Sequence, residues 1–377
     1  MATANHNGQA EKPAFKRSWG GSAVHTESTL HQLSPFIGKI KSTMASALIR
    51  QFTSPKSIIF DPFSGSGTIG LEGWIAGRHV IANDLSPYAW LLTTAKLFPP
   101  ASAALAFEKL RQIAASAAAP KNSPAATPPP EVRQFFHPRT LREITGWIEQ
   151  LRREKETFLL ACLMGILHHQ RPGFLSYPSS HAVPYLRTLK FPRARYPEMY
   201  RYRSVEPRLL AKVARAFKRL PLLDPTIRRK SYRRDARSFV PQMAIDAVIT
   251  SPPYMRQLDY GRDNRLRLWF LGREHVEPLD GRVSPTEAEF LGLMKECLTS
   301  WRHVLHRGAH CILVIGDTES KLYGERLPIA ISGVATSEVG GYALAGMYQE
   351  RIPAARRVRR SCRGSLSETI VVLRRTT

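Results

Sequence analysis

Ser251-Pro252-Pro253-Tyr254 combines residue types that can hold a planar group carrying an amine. The four residues follow an apolar run, Ala247-Val248-Ile249-Thr250, which reads as a buried strand. Proline has a fixed φ and no N–H, so the sheet ladder stops there and a stiff loop begins. In open α/β sheets, ligands bind outside the carboxyl ends of the strands, where such a loop lies. It presents carbonyl oxygens without competing N–H donors, one side-chain hydroxyl and one flat aromatic face. A Pro-rich turn or a polyproline docking segment would use the same residue types. The four residues alone leave these readings even.

A second stretch tips the balance. Asp61-Pro62-Phe63-Ser64-Gly65-Ser66-Gly67-Thr68 follows an apolar strand, Ile58-Ile59-Phe60, and opens a helical stretch, Ile69 to Ala76, closed by Gly77. Strand, glycine turn and helix together let a ligand approach backbone N–H groups at a helix N-terminus. The glycine spacing is not the dinucleotide pattern, and no Gly-Lys-Ser/Thr follows, so a phosphate cradle is not indicated. A second strand, His79-Val80-Ile81-Ala82, ends in Asn83-Asp84. An acid at that position is where α/β nucleoside sites hold a ribose diol.

With both pieces in register, the chain resembles the S-adenosylmethionine-dependent amino-methyltransferases, which methylate the exocyclic nitrogen of a base. The Asp61–Thr68 run looks like their cofactor loop, through Asp61, Pro62, Phe63, Gly65, Ser66, Gly67 and Thr68. Asp84 matches their ribose-binding acid, and Ser251 to Tyr254 looks like their catalytic loop. Upstream, Ser34-Pro35-Phe36-Ile37-Gly38-Lys39 resembles the segment that closes over the cofactor's methionine end, which implicates Pro35, Phe36 and Lys39. Asp235 falls where an acid meets the adenine amine. The resemblance spans roughly residues 33–99 and 231–318, and more weakly 350–375. It implies an α/β fold, a Rossmann-like class I methyltransferase sheet with helices on both faces, plus a mostly helical basic insertion. The serine version of the loop is similar to the DNA cytosine-N4 enzymes, whereas Asp or Asn is commoner in adenine-N6 and RNA enzymes.

Composition favours an anionic partner. The 377 residues carry 55 Lys and Arg against 30 Asp and Glu, a formal net charge of +25. Such an excess favours phosphate polymers or anionic membranes. The longest apolar run, Phe158 to Leu167, is too short to span a bilayer, and no secretory h-region opens the chain. Membrane attachment therefore has no support. The four cysteines, at 162, 297, 311 and 362, form no CxxC pair, so neither zinc nor a disulfide framework is indicated, and the expected setting is a reducing cytoplasm. His168-His169 has no carboxylate or cysteine at ligand spacing and reads as a packed or capping pair.

Three segments follow from the punctuation. Residues 1–29 read as a loose basic N-terminal segment, and 30–100 with 231–377 as the catalytic domain. Residues 101–230 form an inserted helical, Arg- and Tyr-rich region expected to recognise the target. Within the insertion, Ala114 to Pro130 reads as a low-complexity linker and Thr140 to Arg152 as an amphipathic helix with Leu141, Ile144, Trp147, Ile148 and Leu151 on one face. Phe158 to His169 reads as a buried helix. Arginines here can meet phosphates and tyrosines can stack on bases, although a solvated face over a small helical core would look the same. The insertion departs from the family order, because the candidate third-strand acid, Asp235, follows it. Cys311 to Ile315 reads as a further strand, and Tyr342 to Tyr348 with Thr369 to Leu373 as a terminal antiparallel pair.

The implied chemistry is direct methyl transfer to the amine of a base flipped out of its helix. Ser251 and the Pro252 carbonyl would accept the amine hydrogens, and Tyr254 would stack on the ring. Cytosine-C5 methylation needs a cysteine nucleophile after proline, and none of the four cysteines follows a proline. Arg262, Arg265 and Arg267, with Arg233 and Arg234, are the expected phosphate contacts, and the run from Arg356 to Arg363 could flank the groove. The leading expectation is a DNA cytosine-N4 methyltransferase, alone or paired with a restriction endonuclease. Adenine-N6 methylation, RNA base methylation and non-catalytic nucleic-acid binding stay open.

Overall fold

The computed structural model describes residues 24–117, 128–171, 173–180, 184–253, 260–272, 286–352 and 367–377. Tyr254, the residues from Arg356 to Arg363 and most of the Ala114–Pro130 linker lie outside these.

A seven-stranded sheet carries the molecule. Its strands are β1 (Ile58–Asp61), β2 (His79–Asn83), β3 (Arg229–Tyr232), β4 (Ile245–Thr250), β5 (Leu305–Gly316), β8 (Tyr342–Arg351) and β9 (Ser367–Arg375). A separate two-residue ladder joins β6 (Glu319–Ser320) to β7 (Glu325–Arg326). The order in the main sheet is β3-β2-β1-β4-β5-β9-β8, with β1 to β5 parallel and β9 antiparallel to both neighbours. This is the mostly parallel α/β sheet that the resemblance implies. The terminal antiparallel pair is as expected from the sequence. Strand β3 is a finding: Arg-Lys-Ser-Tyr has no apolar run to announce it, because an edge strand need not bury both faces.

The central strands read as continuous apolar runs because both faces are covered. Their side chains alternate accordingly. Ile59, Ala247, Ile249, Ile312 and Val314 point to one face, beneath Met44, Leu48 and Ile49 of α1 (Ser42–Phe52). Phe60, Val248, Leu313 and Ile315 point to the other, against α10 (Glu287–Arg302) and α11 (Leu327–Gly333). Trp301 of α10 is fully buried there, edge-on to Phe60 and Phe63.

The inserted helices are α4 (Ala103–Ala117), α5 (Pro130–Arg133), α6 (Pro138–Arg153), α7 (Thr157–Ile166) and α8 (Val205–Ala216). They share one apolar cluster with Leu71 and Trp74 of α2 (Thr68–Ile75), with Tyr88, Leu91 and Leu92 of α3 (Pro87–Leu97), and with Leu266, Leu268 and Phe270 of α9 (Tyr260–Leu271). These helices are thus packed against the sheet-bearing part of the chain. Helix α6 buries the five apolar residues its periodicity marks, and α7 ends at Ile166, short of the expected His169. His168 is fully buried with its Nδ1 at 2.8 Å from the Ser180 carbonyl oxygen.

Two expectations need correction. Residues 24–29 are not loose: Ser28 and Thr29 are buried, and the Arg219 guanidinium donates to the carbonyls of Val24 and Glu27. Arg267 is not on the surface. It is 1% exposed, donates to the carbonyls of Met164 and His168, and lies 5.6 Å from the Tyr88 ring centroid. It therefore satisfies the carboxyl end of α7 and cannot reach a phosphate.

Candidate active site

The sheet order reverses between β1 and β4, and a crevice opens outside the carboxyl ends of those strands. β1 delivers Asp61 to its floor. β4 delivers Thr250 and then Ser251. One hydroxyl joins them: Thr250 Oγ1 donates to Asp61 Oδ1 at 2.7 Å and accepts from the Phe63 N–H at 3.2 Å. The cofactor-like loop is thereby tied to the root of the Ser-Pro-Pro loop.

The loop's shape requires its glycines. Gly65 and Gly67 have φ of +51° and +74°, where a side chain is strained. At Gly67 an added Cβ would lie 2.8 Å from the Thr93 Cα. Helix α3 supports the loop from behind: the buried Lys96 Nζ donates to the Ser66 carbonyl at 2.5 Å. At the end of β2, Asn83 donates to the carbonyls of Pro62 and Arg234 and accepts from the Arg234 N–H, pinning three strand ends together. Asp84 accepts from the N–H groups of Gly65 at 2.8 Å and Ser86 at 2.9 Å. The carboxylate keeps acceptor capacity for a diol.

One pocket collects most of the residues singled out from sequence. Phe36, Lys39, Asp61, Pro62, Phe63, Gly65, Ser66, Thr68, Asp84, Asp235, Ser251 and Pro253 all line it. Pro35 and Gly67 stand behind the lining; the Pro35 carbonyl accepts from the Tyr88 hydroxyl at 2.7 Å. Pro252 is buried. Phe36 stacks on Tyr88 with centroids 5.8 Å apart. Asp235 is held by its neighbour Arg237, with Nη2 to Oδ2 at 2.6 Å. Arg233, Arg234, Arg262 and Arg265 are exposed.

The pocket also takes residues that motif reading missed, among them Asn264 on α9 and Glu289 on α10. Asn264 gave no signal. Glu289 had one: Thr286-Glu287-Ala288-Glu289 forms a capping box, with the Thr286 side chain and the Glu289 carboxylate bonded reciprocally to backbone N–H groups.

Electrostatics sharpen the floor. Burial pushes the Asp61 carboxyl up to about 8, and the neighbouring charge of Asp84 adds to the effect. Burial also raises Asp84, to about 6. Among the described residues, Asp61 Oδ2 is a buried acceptor with no partner. An orphaned acceptor of this kind costs free energy unless a ligand donates to it. The amine and sulfonium of S-adenosylmethionine are cationic, its ribose is a diol and its adenine is flat. Asp61 and Asp84 fit the first two of those features.

The sequence matches the DNA methylase family model over residues 3–93. No curated protein matches the chain. Among solved structures, TrmN from Thermus thermophilus shares 14% identity, covering 90% of this chain and 50% of its own, with a TM-score of 0.35. The chain thus spans about half the length of TrmN. The rRNA methyltransferase aviRa from Streptomyces viridochromogenes shares 13% identity over 94% of this chain and 96% of its own, at a TM-score of 0.35. An rRNA methylase from Streptococcus thermophilus shares 7% identity, with coverages of 89% and 96% and a TM-score of 0.34. At these scores the likenesses fix no substrate. Over residues 3–93 the chain is thus similar to the DNA methylases.

Proposed function

We propose that this protein methylates the exocyclic amine of a nucleic-acid base, N4 of cytosine in DNA, using S-adenosylmethionine. One observation carries the reading: Ser251 and Pro253 line the same pocket as Asp61, Gly65 and Asp84. A base amine held by the Ser-Pro-Pro loop would therefore face a cofactor held by the glycine loop.

S-adenosylmethionine supplies the methyl group, bound to a cationic sulfur that leaves as a neutral thioether. The protein's work is to prepare the nitrogen. An aromatic amine is a poor nucleophile because its lone pair is delocalised into the ring. Ser251 Oγ donates its one hydrogen to the Val314 carbonyl at 3.1 Å, so its lone pairs remain to accept from the amine. With the Pro252 carbonyl as the second acceptor, the nitrogen is drawn toward sp³ geometry and its lone pair is aimed across the pocket. The nitrogen would gain the methyl carbon, and the cation so formed would release one proton to solvent. Positioning and preorganised dipoles of this kind act most strongly where water is excluded.

The exposed Arg233, Arg234, Arg262 and Arg265 would meet the phosphates around the flipped base. A competition between duplex DNA and structured RNA for labelled methyl groups tests the substrate. Label in DNA supports the reading, and label confined to RNA overturns the DNA assignment.

A further inference from the structure

The segment that enters the pocket is seated on the insertion. Residues 28–40 run as a strap, and Phe36, Gly38, Lys39 and Ile40 line the pocket at its far end. Its near end is bonded to α8 and the residues just after it. Thr29 Oγ1 donates to the Ala216 carbonyl at 2.7 Å, and the Thr29 N–H donates to the Arg219 carbonyl at 3.1 Å. The Arg219 N–H returns a bond to Thr29 Oγ1 at 3.1 Å. Further along, the Lys212 ammonium donates to the Gln32 carbonyl at 2.6 Å.

At the next residue the strap meets α7 backbone to backbone. A Cβ added at Gly165 would sit 2.0 Å from the Leu33 carbonyl oxygen. No side chain fits there, and the obstruction is main chain. Leu30 and Leu33 are fully buried in the cluster that includes α7 and α8. Beyond this seat, the Ser34 hydroxyl meets the Tyr88 hydroxyl at 2.6 Å, Tyr88 bonds the Pro35 carbonyl, and Phe36 stacks on Tyr88. Only Ser34 and Pro35 separate the Leu33 contact on α7 from Phe36, the first pocket-lining ring, so a shift at the seat reaches the pocket with little slack.

We infer that α7 and α8 of the insertion form a platform that sets the position of the strap, making Gly165 and Lys212 positioning residues for the cofactor that touch neither cofactor nor nucleic acid. The inference rests on the reading of the pocket as an S-adenosylmethionine site. It gives the insertion a part in cofactor affinity, separate from any contact with the target. The free energy of ordering the strap is met by the seat in advance, so less is lost when the cofactor binds.

The test is titration calorimetry of the full chain with S-adenosylmethionine, joined to steady-state kinetics, for Lys212→Met, Lys212→Arg and Gly165→Ala. Lys212→Met is expected to raise Kd and KM for the cofactor about tenfold, with kcat and the nucleic-acid KM unchanged. Lys212→Arg, which keeps a donor, should restore both, and Gly165→Ala should exceed the Lys212→Met effect. If Gly165→Ala fails to fold, the Lys212 pair decides alone. Wild-type cofactor affinity in Lys212→Met overturns the platform, as does a nucleic-acid KM that moves in step with the cofactor KM. Absence of cofactor binding by the wild-type chain overturns the pocket reading itself, and the platform with it.

Discussion

Ser251 Oγ lies 3.1 Å from the Val314 carbonyl oxygen, a bond from the first residue of the Ser-Pro-Pro loop to the neighbouring strand β5. The hydroxyl's hydrogen is committed inside the protein, and Ser251 lines the pocket. Ser251→Ala removes the acceptor together with the bond to Val314. We expect methyl transfer to fall roughly 10²- to 10³-fold, the cost of losing one preorganised polar group, with calorimetric affinity for S-adenosylmethionine unchanged. A variant retaining full activity would show that the hydroxyl plays no part.

Asp61 sets a pH dependence. Its carboxyl is pushed up to about 8, so below that pH the empty pocket holds a neutral acid. A cationic ligand favours the carboxylate. Binding should release a proton, and affinity should rise as pH increases through about 8. Asp84, raised to about 6, acts in the same direction at lower pH. Calorimetry at pH 6.5 and 8.5, in two buffers of different ionisation heat, measures both effects. Asp61→Asn should bind weakly at either pH. Stability runs the other way: the folded state holds this proton where the unfolded state does not. The wild-type chain should therefore lose stability as pH rises from about 4 to 8, and Asp61→Asn should lose less.

Gly67→Ala should be costly twice over. The left-handed φ of +74° adds about 1–2 kcal/mol for any L side chain, and the new Cβ meets Thr93 main chain at 2.8 Å. We expect a melting temperature several degrees lower and a cofactor affinity at least tenfold weaker. Thr93→Ala in the same background should recover only part, because it removes Oγ1 but leaves the Thr93 Cα at 2.8 Å.

The floor of this pocket was legible in the sequence because its residue types follow from backbone demands. Gly65 and Gly67 must tolerate positive φ, and Pro252 and Pro253 must end a strand. Asp61 and Asp84 stand at strand ends, where apolar periodicity stops. The supports were not legible. Tyr88, Lys96 and Arg267 look like surface residues by type, yet each is at most 1% exposed and bonded to carbonyls brought from elsewhere in the chain. Strand β3 was invisible for the opposite reason, since its edge position lets four polar or half-buried residues pair with β2. The seat of the strap on Gly165 depends on a contact between residues 33 and 165 that no local pattern encodes.

The arginines of α9 separate into two kinds. Arg262 and Arg265 are exposed, and Arg267 is buried. Arg262→Ala and Arg265→Ala should each weaken DNA binding and lower the slope of log affinity against log salt by about one. Arg267→Met should leave that slope alone and destabilise the fold by about 1–3 kcal/mol, because it strands the carbonyls of Met164 and His168. Salt titration of a labelled duplex and thermal unfolding distinguish the two patterns.

The central claim is methylation of a base amine by the Ser251 loop, and nucleoside mass spectrometry tests it most directly. DNA from cells expressing the wild-type chain would be compared with DNA from cells expressing Ser251→Ala at equal protein level. N4-methylcytosine is expected in the first sample and none in the second. An equal N4-methylcytosine level in the two samples, or none in either, would contradict it.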